Sequence, residues 1–375
     1  MAELPSVHKK LIPWFQKHKR SLPWRKTKDP YRIWLSEIML QQTQVKTVIP
    51  YYQRWLKHFP NLTSLAQAQL PKVLKLWEGL GYYRRARHMH EAAKIILEQY
   101  GGKFPADPES LHKLPGIGRY TQGAILSIAF DIPVPLVDGN VARVLSRLFA
   151  IPEPIDSREG EKRLWELAKK LVPKKNPGDF NQALMELGAT VCLPNDPWCD
   201  RCPVSNFCSA FRQGDQEDYP KKIKKNESKK VRAVCGLVHS DGKLLITQRP
   251  SQGLWAGLWE FPTFRLTEKA DSESTLDKKL HAWGLRVCDL QKKGSLKRSY
   301  TIHREDLEIY FCKLVSDKKK GRAVKLPARQ LLYVAPTQPW DLGGPVPVSH
   351  RWVRRNELGR FAFPSAYAKI IREYL

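Results

Sequence analysis

Four cysteines, Cys192, Cys199, Cys202 and Cys208, stand in one short stretch, CLPNDPWCDRCPVSNFC, with the spacing Cys-x6-Cys-x2-Cys-x5-Cys. No other feature of the chain constrains its folding as tightly. Thiolates this close in sequence can close around one tetrahedral metal site or one iron–sulfur cluster, and the spacing alone does not separate the two. Disulfides would need an oxidising compartment. The opening residues, MAELPSVHKKLIPWF, lack the apolar run and cleavage site of a secretory signal, so the expected compartment is the cytosol. A four-thiolate group leaves no ligand position for water or substrate. Its expected role is therefore structural, stapling an irregular loop to the helix that precedes it, residues 180–191. Cys235, Cys288 and Cys312 stand alone in apolar contexts and are expected to be buried core thiols.

The chain changes character near residue 212. Before it, apolar residues recur at spacings of three and four, and turns rich in Pro, Gly and Asp separate the segments, as in a bundle of helices. One helix begins at Asp29-Pro30, an N-cap followed by proline in the first turn. Others span about 85–99, follow Gly118, and follow Asp138. Residues 213–230, QGDQEDYPKKIKKNESKK, are nearly devoid of apolar side chains and read as a solvated interdomain linker. Beyond them, VRAVCGLVHS, the turn Asp241-Gly242 and KLLITQRP predict a β-hairpin. Residues 306–315 predict another strand, and the chain past Pro364 a helix. Lys318-Lys319-Lys320-Gly321 reads as a loop tip. The second half is thus α+β. The whole chain, 375 residues, suits two or three domains, and no apolar run in it is long enough to span a membrane.

Sixty-four Lys and Arg face 37 Asp and Glu, a formal charge of +27. That excess favours a polyanionic partner through counterion release. Twelve Trp and 13 Tyr make nucleic acid the better candidate over an anionic membrane surface, because aromatic rings stack on unpaired bases.

Leu114-Pro115-Gly116-Ile117-Gly118 lies between two helical patterns. Two glycines allow a tight turn and a close backbone approach. The free amides of the following helix suit a phosphate, and Arg119 adds a cation. A helix–turn–helix pair of this kind reads backbone rather than bases; an ordinary αα-hairpin is the plain alternative.

Two carboxylates occupy unlike settings. Glu37 in DPYRIWLSEIMLQQTQV is three or four positions from Ile33, Trp34 and Leu40, on or beside an apolar stripe. Desolvation there would raise its pKa and keep a proton available near neutrality, as a general acid requires. Asp138 in VPLVDGNVARVLSRLF precedes a helix whose N-terminus favours the ionised form. One protonated acid and one carboxylate is the division of labour that breaks glycosidic bonds through oxocarbenium-like states. Taken singly, Glu37 also reads as a snorkelling surface residue and Asp138 as a plain N-cap.

Together these pieces resemble the MutY family of adenine DNA glycosylases, within the helix–hairpin–helix glycosylase superfamily. The carriers are LPWR (22–25), SEIMLQQTQV (36–45), GLGYYRRAR (79–87), LPGIGRYTQGAI (114–125), VDGNVARV (137–144), FNQALMELGA (180–189), the four cysteines, and WAGLWEFP (255–262). The resemblance implies a mostly α helix–hairpin–helix glycosylase region over 1–212, with an iron–sulfur loop at 192–208. It further implies the linker 213–230 and an α+β, Nudix-like lesion-recognition domain over 231–375. The implied activity is removal of adenine mispaired with 8-oxoguanine or guanine in duplex DNA, as base excision repair, by a monomeric, cytoplasmic, nucleoid-associated enzyme. By similarity, Glu37 protonates the leaving adenine, Asp138 stabilises the sugar cation, Asn140 supports Asp138 and the water, and Tyr120 lines the sugar pocket. Trp24, Arg25 and Gln182 would hold the flipped adenine. Gln42 and Tyr82 match residues that enter the base stack, and Thr43 a contact near the lesion. Gly116, Gly118 and Arg119 would hold the DNA backbone, and the four cysteines a 4Fe-4S cluster.

Two departures matter. Glycosylases resembling endonuclease III carry a lysine where Tyr120 stands. A phenol cannot form an imine, so the resemblance implies a monofunctional enzyme. The stretch comparable to the Nudix hydrolase box, LDKKLHAWGL (276–285), offers Lys278, His281 and Ala282 where acids would hold magnesium, which implies binding without hydrolysis. In SYTIHRED, Tyr300 and Thr301 match the first two positions of the aromatic–Ser–His loop that reads 8-oxoguanine, while Ile302 falls where His is common. Val348-Ser349-His350 looks similar but lies too close to the C-terminal tail.

Overall fold

The structure is a computed structural model that describes residues 4–223, 228–315 and 349–375. The expected loop tip at Lys318–Gly321, and Val348, lie outside these residues. Contacts divide the chain into two units, Met1–Ala68 with His88–Lys225, and Gln69–Arg87 with Asn226–Leu375.

The helices of the first half are α1 (Leu4–His18), α2 (Pro30–Leu40), α3 (Val45–His58), α4 (Leu62–Ala66), α5 (Leu70–Trp77), α6 (Arg84–Gln99) and α7 (Pro108–His112). Then follow α8 (Arg119–Ala124), α9 (Gly139–Leu148), α10 (Arg158–Leu171), α11 (Pro177–Thr190) and α12 (Ser209–Gln213). Asp29 caps α2 by accepting from Tyr31 N, with Pro30 in the first turn, as its sequence predicts. Of α2, only the last residue and two of the first turn escape burial; it runs through the interior instead of presenting one stripe. A second core forms where α1, α9, α10 and α11 meet, through Leu11, Phe15, Leu145, Leu148, Leu164, Phe180 and Leu184. Between α8 and Phe130 the chain widens into a π-helical turn, Ile125–Ala129. Asn181 on α11 bonds to Ser127 of that turn and to Val134 O, each at 2.9 Å.

The second unit is a sheet between two helices. Its strands are β1 (Lys229–Ser240), β2 (Lys243–Gln248), β3 (Trp259–Glu260), β4 (Thr263–Leu266), β5 (Val287–Tyr300), β6 (His303–Leu314) and β7 (Ser349–Arg354). The main order is β3-β2-β1-β6-β5, with β4 on β1 and β7 on β2. Helix α13 (Ser272–Ala282) covers one face through Leu276 and Leu280. Helix α14 (Ser365–Tyr374) covers the other through Tyr367 and Ile370. The apolar run of β1 is therefore buried on both faces, which explains its lack of alternation. The predicted hairpin exists at its turn, where His239 pairs with Leu244 and Ser240 with Lys243. For most of its length, however, β1 pairs in parallel with β6. Ser349 and His350 lie in the β2–β7 ladder, opposite Gln248 and Thr247.

Three expectations need correction. Cys235 and Cys312 are fully buried, but Cys288 is only partly so, near the start of β5. The linker is not uniformly solvated. Arg147 donates to the carbonyls of Gln216 and Tyr219, Ile155 N to Lys221 O, and Ile223 N to Asp156, so 216–223 lies against the helical unit. Polar residues there compete poorly for a core, but their carbonyls satisfy a buried guanidinium. Finally, the units do not follow a linear division at 212. Gln69–Arg87 groups with the later half because Tyr83 donates to Phe363 O at 2.7 Å and Lys75 to Phe361 O at 2.8 Å.

Candidate active site

Glu37 is 5% exposed, one turn from the end of α2. Its carboxylate accepts a hydrogen bond from the Tyr120 hydroxyl, which also lies 3.4 Å from the Met185 sulfur. Burial pushes the Glu37 carboxyl up to about 7; the Tyr120 bond and the Arg25 charge oppose the rise, and the Asp138 charge adds to it. Burial also keeps the Tyr120 phenol neutral, raised well above its ordinary value.

Asp138 caps α9. Its Oδ1 accepts from Val141 N at 2.7 Å and its Oδ2 from Asn140 Nδ2 at 3.0 Å. The helix N-terminus is expected to depress its pKa, but burial outweighs these bonds and the net direction is upward. The two carboxyls are coupled, and the Asp138 charge is among the causes that raise Glu37. The site therefore holds one carboxyl raised to about 7 beside a second whose charged form is favoured by the bonds from Val141 and Asn140 and disfavoured by burial.

Asn140 is itself held. Arg143 donates to Asn140 Oδ1 at 2.9 Å, to Gly188 O at 2.6 Å and to Cys192 O at 2.8 Å. A Cβ on Gly188 would fall 2.7 Å from Asn140 Cβ and 2.9 Å from its carbonyl oxygen. Only glycine lets α11 approach the start of α9 so closely.

Arg25, in the short helical turn Pro23–Lys26, is anchored instead of free. It donates to Glu186 at 2.8 Å and to Arg20 O at 3.1 Å. Arg20 donates to Glu186 Oε1 from its backbone N and Nε, and shares Oε2 with Arg25 through its Nη2. Burial would push the fully buried Glu186 up, but the bonds from Arg20 and Arg25 outweigh it and hold the carboxyl down at about 2. Trp24 is buried with its ring 5.4 Å from Tyr52. Gln182 is half-buried on α11, its Nε2 3.4 Å from Gly178 O. Sequence reasoning missed Arg20, Arg143, Met185 and Glu186. A signal existed: Gln182, Met185 and Glu186 share one helix face at spacings of three and four.

Gly116 adopts φ +78, and a Cβ there would lie 2.8 Å from His88 Cβ. Gly118 caps α8 in the open, and Arg119 is exposed with its guanidinium 3.9 Å from the Trp165 ring. Gln42 stands exposed in left-handed backbone (φ 54) in the turn between α2 and α3, and Thr43 beside it bonds back to Gln41 O. Tyr82 is 59% exposed, also left-handed at φ 48. Non-glycine residues held in this region mark sites the surroundings over-determine.

The four cysteines line one small cavity with the apolar walls Val144, Leu148, Leu187 and Val204. Among the described residues, no three potential ligands gather tightly enough to hold a single ion. Arg147, 2% exposed, spans the loop, donating to Leu193 O, Pro194 O and, at 3.4 Å, Cys192 Sγ.

Residues 35–170 match the HhH-GPD superfamily of base excision DNA repair proteins, and 233–373 match the NUDIX domain. The chain is 34% identical to a human adenine DNA glycosylase over all of its own length and 75% of the relative. It is 43% identical to the Arabidopsis thaliana adenine DNA glycosylase over 72% of this chain, and it spans about half, 49%, of that longer relative. It belongs to the MutY family of adenine DNA glycosylases. A solved thermostable thymine-DNA glycosylase, 30% identical with TM-score 0.52, covers 56% of this chain and 97% of its own. The helical unit thus carries the fold of a DNA N-glycosylase of base excision repair, and DNA is its substrate.

Within this MutY-family chain, the β5–β6 turn departs from expectation in an informative way. Thr301 (φ 49) donates to Tyr300 O at 2.7 Å and lies 3.1 Å from His303 Nδ1. Tyr300 stacks on His303 with ring centroids 5.4 Å apart. An imidazole is present, but at position 303, buried at the start of β6, while Ile302 occupies the exposed tip.

Proposed function

We propose that this protein excises adenine mispaired with 8-oxoguanine, or with guanine, in duplex DNA. The observation that carries the reading is Glu37, a buried carboxyl raised to about 7 beside a second carboxylate and a phenol. Protonated Glu37 donates to a ring nitrogen of the flipped adenine. The bond between that base and its sugar breaks, and both bonding electrons leave with the base. Asp138 faces the resulting sugar cation. A water supported by Asn140 adds to it and gives up a proton, leaving an abasic site. General acid catalysis supplies about 10²- to 10⁴-fold, so positioning and the Asp138 charge must supply the remainder.

Trp24, Arg25 and Gln182 contact the adenine in this reading, and Arg25 does so from a position set by Glu186. Gln42 and Tyr82 fill the stack, and Thr43 contacts the lesion side. Flipping costs a few kcal/mol, which such wedges offset. Gly116, Gly118 and Arg119 hold phosphates. Tyr300 and Thr301 read the 8-oxoguanine. Tyr120 forms no Schiff base, so the enzyme is monofunctional; it works as a monomer.

Cys192, Cys199, Cys202 and Cys208 would hold a 4Fe-4S cluster. A single zinc would need its sulfurs roughly 3.8 Å apart. Four thiols spread around an apolar cavity, with an arginine donating to one of them, fit the larger group better. Its contribution would be structural, holding the loop beside α9.

The test is single-turnover cleavage of duplexes carrying adenine opposite 8-oxoguanine, adenine opposite guanine, and thymine opposite guanine. Native protein runs beside Glu37→Gln, with hot alkali to reveal abasic sites. Alkali-dependent cleavage at adenine, lost in the variant, is expected. Cleavage at thymine alone would overturn the base assignment, and a borohydride-trapped covalent adduct would overturn the monofunctional mechanism.

A further inference from the structure

Ile302 is 52% exposed, one of few large apolar side chains so placed among the described residues. It stands at the tip of the β5–β6 turn, and the turn is built to be stiff. Ile302 O accepts from Lys229 N at 2.8 Å, and Thr301 Oγ1 donates to Tyr300 O and lies 3.1 Å from His303 Nδ1. Behind the tip, Tyr300 is packed between Trp255, at 5.0 Å, and His303, at 5.4 Å. Its hydroxyl donates to the fully buried Glu305, which also pairs with Arg298. Around the tip, Lys229, Lys230 and Arg304 are all exposed, and Lys230 lies opposite Arg304 in the ladder. Among the described residues, no ion pair joins these three cations to a carboxylate.

A protein interior does not cover an isoleucine ringed by unpaired cations. A polyanion with an apolar interior does, and duplex DNA is one: phosphates meet the cations while the side chain reaches a base step. Apolar side chains that enter base steps in this way partly unstack them. A wedge must also be rigid, since a loose tip would lose its ordering entropy on insertion, and the left-handed Thr301 with its bonds meets that need.

We infer that Ile302 is a base-step wedge, inserted beside the lesion opposite the adenine; the inference rests on the proposed substrate. Insertion is a contact of shape and burial, so it demands an apolar side chain at 302 and not a hydrogen-bonding one. The sequence departure at this position then exchanges one kind of lesion contact for another.

The test uses the full chain and a duplex with 8-oxoguanine opposite a non-cleavable 2′-fluoro-adenosine, with 2-aminopurine on either side of the 8-oxoguanine. Native protein should raise the fluorescence of one flanking 2-aminopurine. Ile302→Ala and Ile302→Ser should abolish that rise and weaken binding roughly ten- to a hundredfold. Ile302→Leu should retain both, and thermal midpoints of all variants should match the native one. An unchanged fluorescence rise and affinity in Ile302→Ala would overturn the wedge. So would equal loss in Ile302→Leu. If native protein releases no adenine from the cleavable duplex, the proposed function fails on that result alone, and the fluorescence still reports whether the tip enters the stack.

Discussion

Tyr120 donates its hydroxyl hydrogen to the Glu37 carboxylate, and this bond opposes the burial that raises Glu37 to about 7. A hydrogen bond to the charged form stabilises that form, so the phenol trims the acid's pKa instead of raising it. Tyr120→Phe should therefore move the Glu37 titration above its native value. The alkaline fall-off of single-turnover adenine release should shift to higher pH, which a rate–pH profile measures. A slower reaction with an unmoved alkaline limb would show that the phenol does not set the acid.

The same raised carboxyl has a stability consequence. Folding lifts Glu37 from its ordinary 4.5 to about 7, so between those values the folded chain binds more protons than the unfolded one. Stability is then lost as pH rises through that window, and the loss is complete above it. Glu37→Gln removes the penalty. It should be more stable than the native protein at about pH 8, by up to about 3 kcal/mol, and indistinguishable from it near pH 4. Thermal midpoints at the two pH values decide the matter; an equal gain at both would point to packing.

Gly188 and Asn140 leave no room for a Cβ between α11 and the start of α9. Gly188→Ala must displace Asn140 or tilt the helices, and Asp138 moves with them. Adenine release should fall by about 10²-fold, since small misplacements at a reacting centre cost that much. Duplex affinity should change far less, so parallel binding and single-turnover measurements separate the two effects.

Arg147, on α9, holds the cysteine loop and residues 216–219 by donating to the carbonyls of Leu193, Pro194, Gln216 and Tyr219. Arg147→Met keeps much of the volume and removes every one of those donors. The loop should loosen, with a stability loss of about 3 kcal/mol or more and several-fold less iron per chain. Iron and acid-labile sulfide assays on freshly purified protein check this, and full occupancy in the variant would refute it.

Local chemistry was legible because it is carried by neighbours in sequence. Asp29-Pro30 names its own helix start, Gly116-Ile117-Gly118 its own turn, and the cysteine spacing its own loop. Glu37 was recognised as desolvated from residues one turn away, yet the burial of α2 on almost all sides was not visible in its stripe. The hairpin at Asp241-Gly242 was legible as a turn, but the parallel β1–β6 pairing was not, because its partners stand far apart in the chain. The same distance hid the Arg20–Glu186–Arg25 cluster, whose members lie at opposite ends of the helical unit's sequence.

The family, the two-part character of the chain, and the residue types that can break a glycosidic bond were all legible from the residues in order. That is because motif, charge and periodicity are properties of short stretches. Tertiary structure alone set the direction in which each of those carboxyls titrates. Burial raises both Glu37 and Asp138, against the helix-terminus expectation for Asp138, and the bond from Tyr120 then tempers Glu37. It also decided that the exposed tip of the β5–β6 turn belongs to Ile302 while the imidazole of His303 turns inward. Those outcomes depend on how much water and which partners surround each group, and only packing between distant segments sets that.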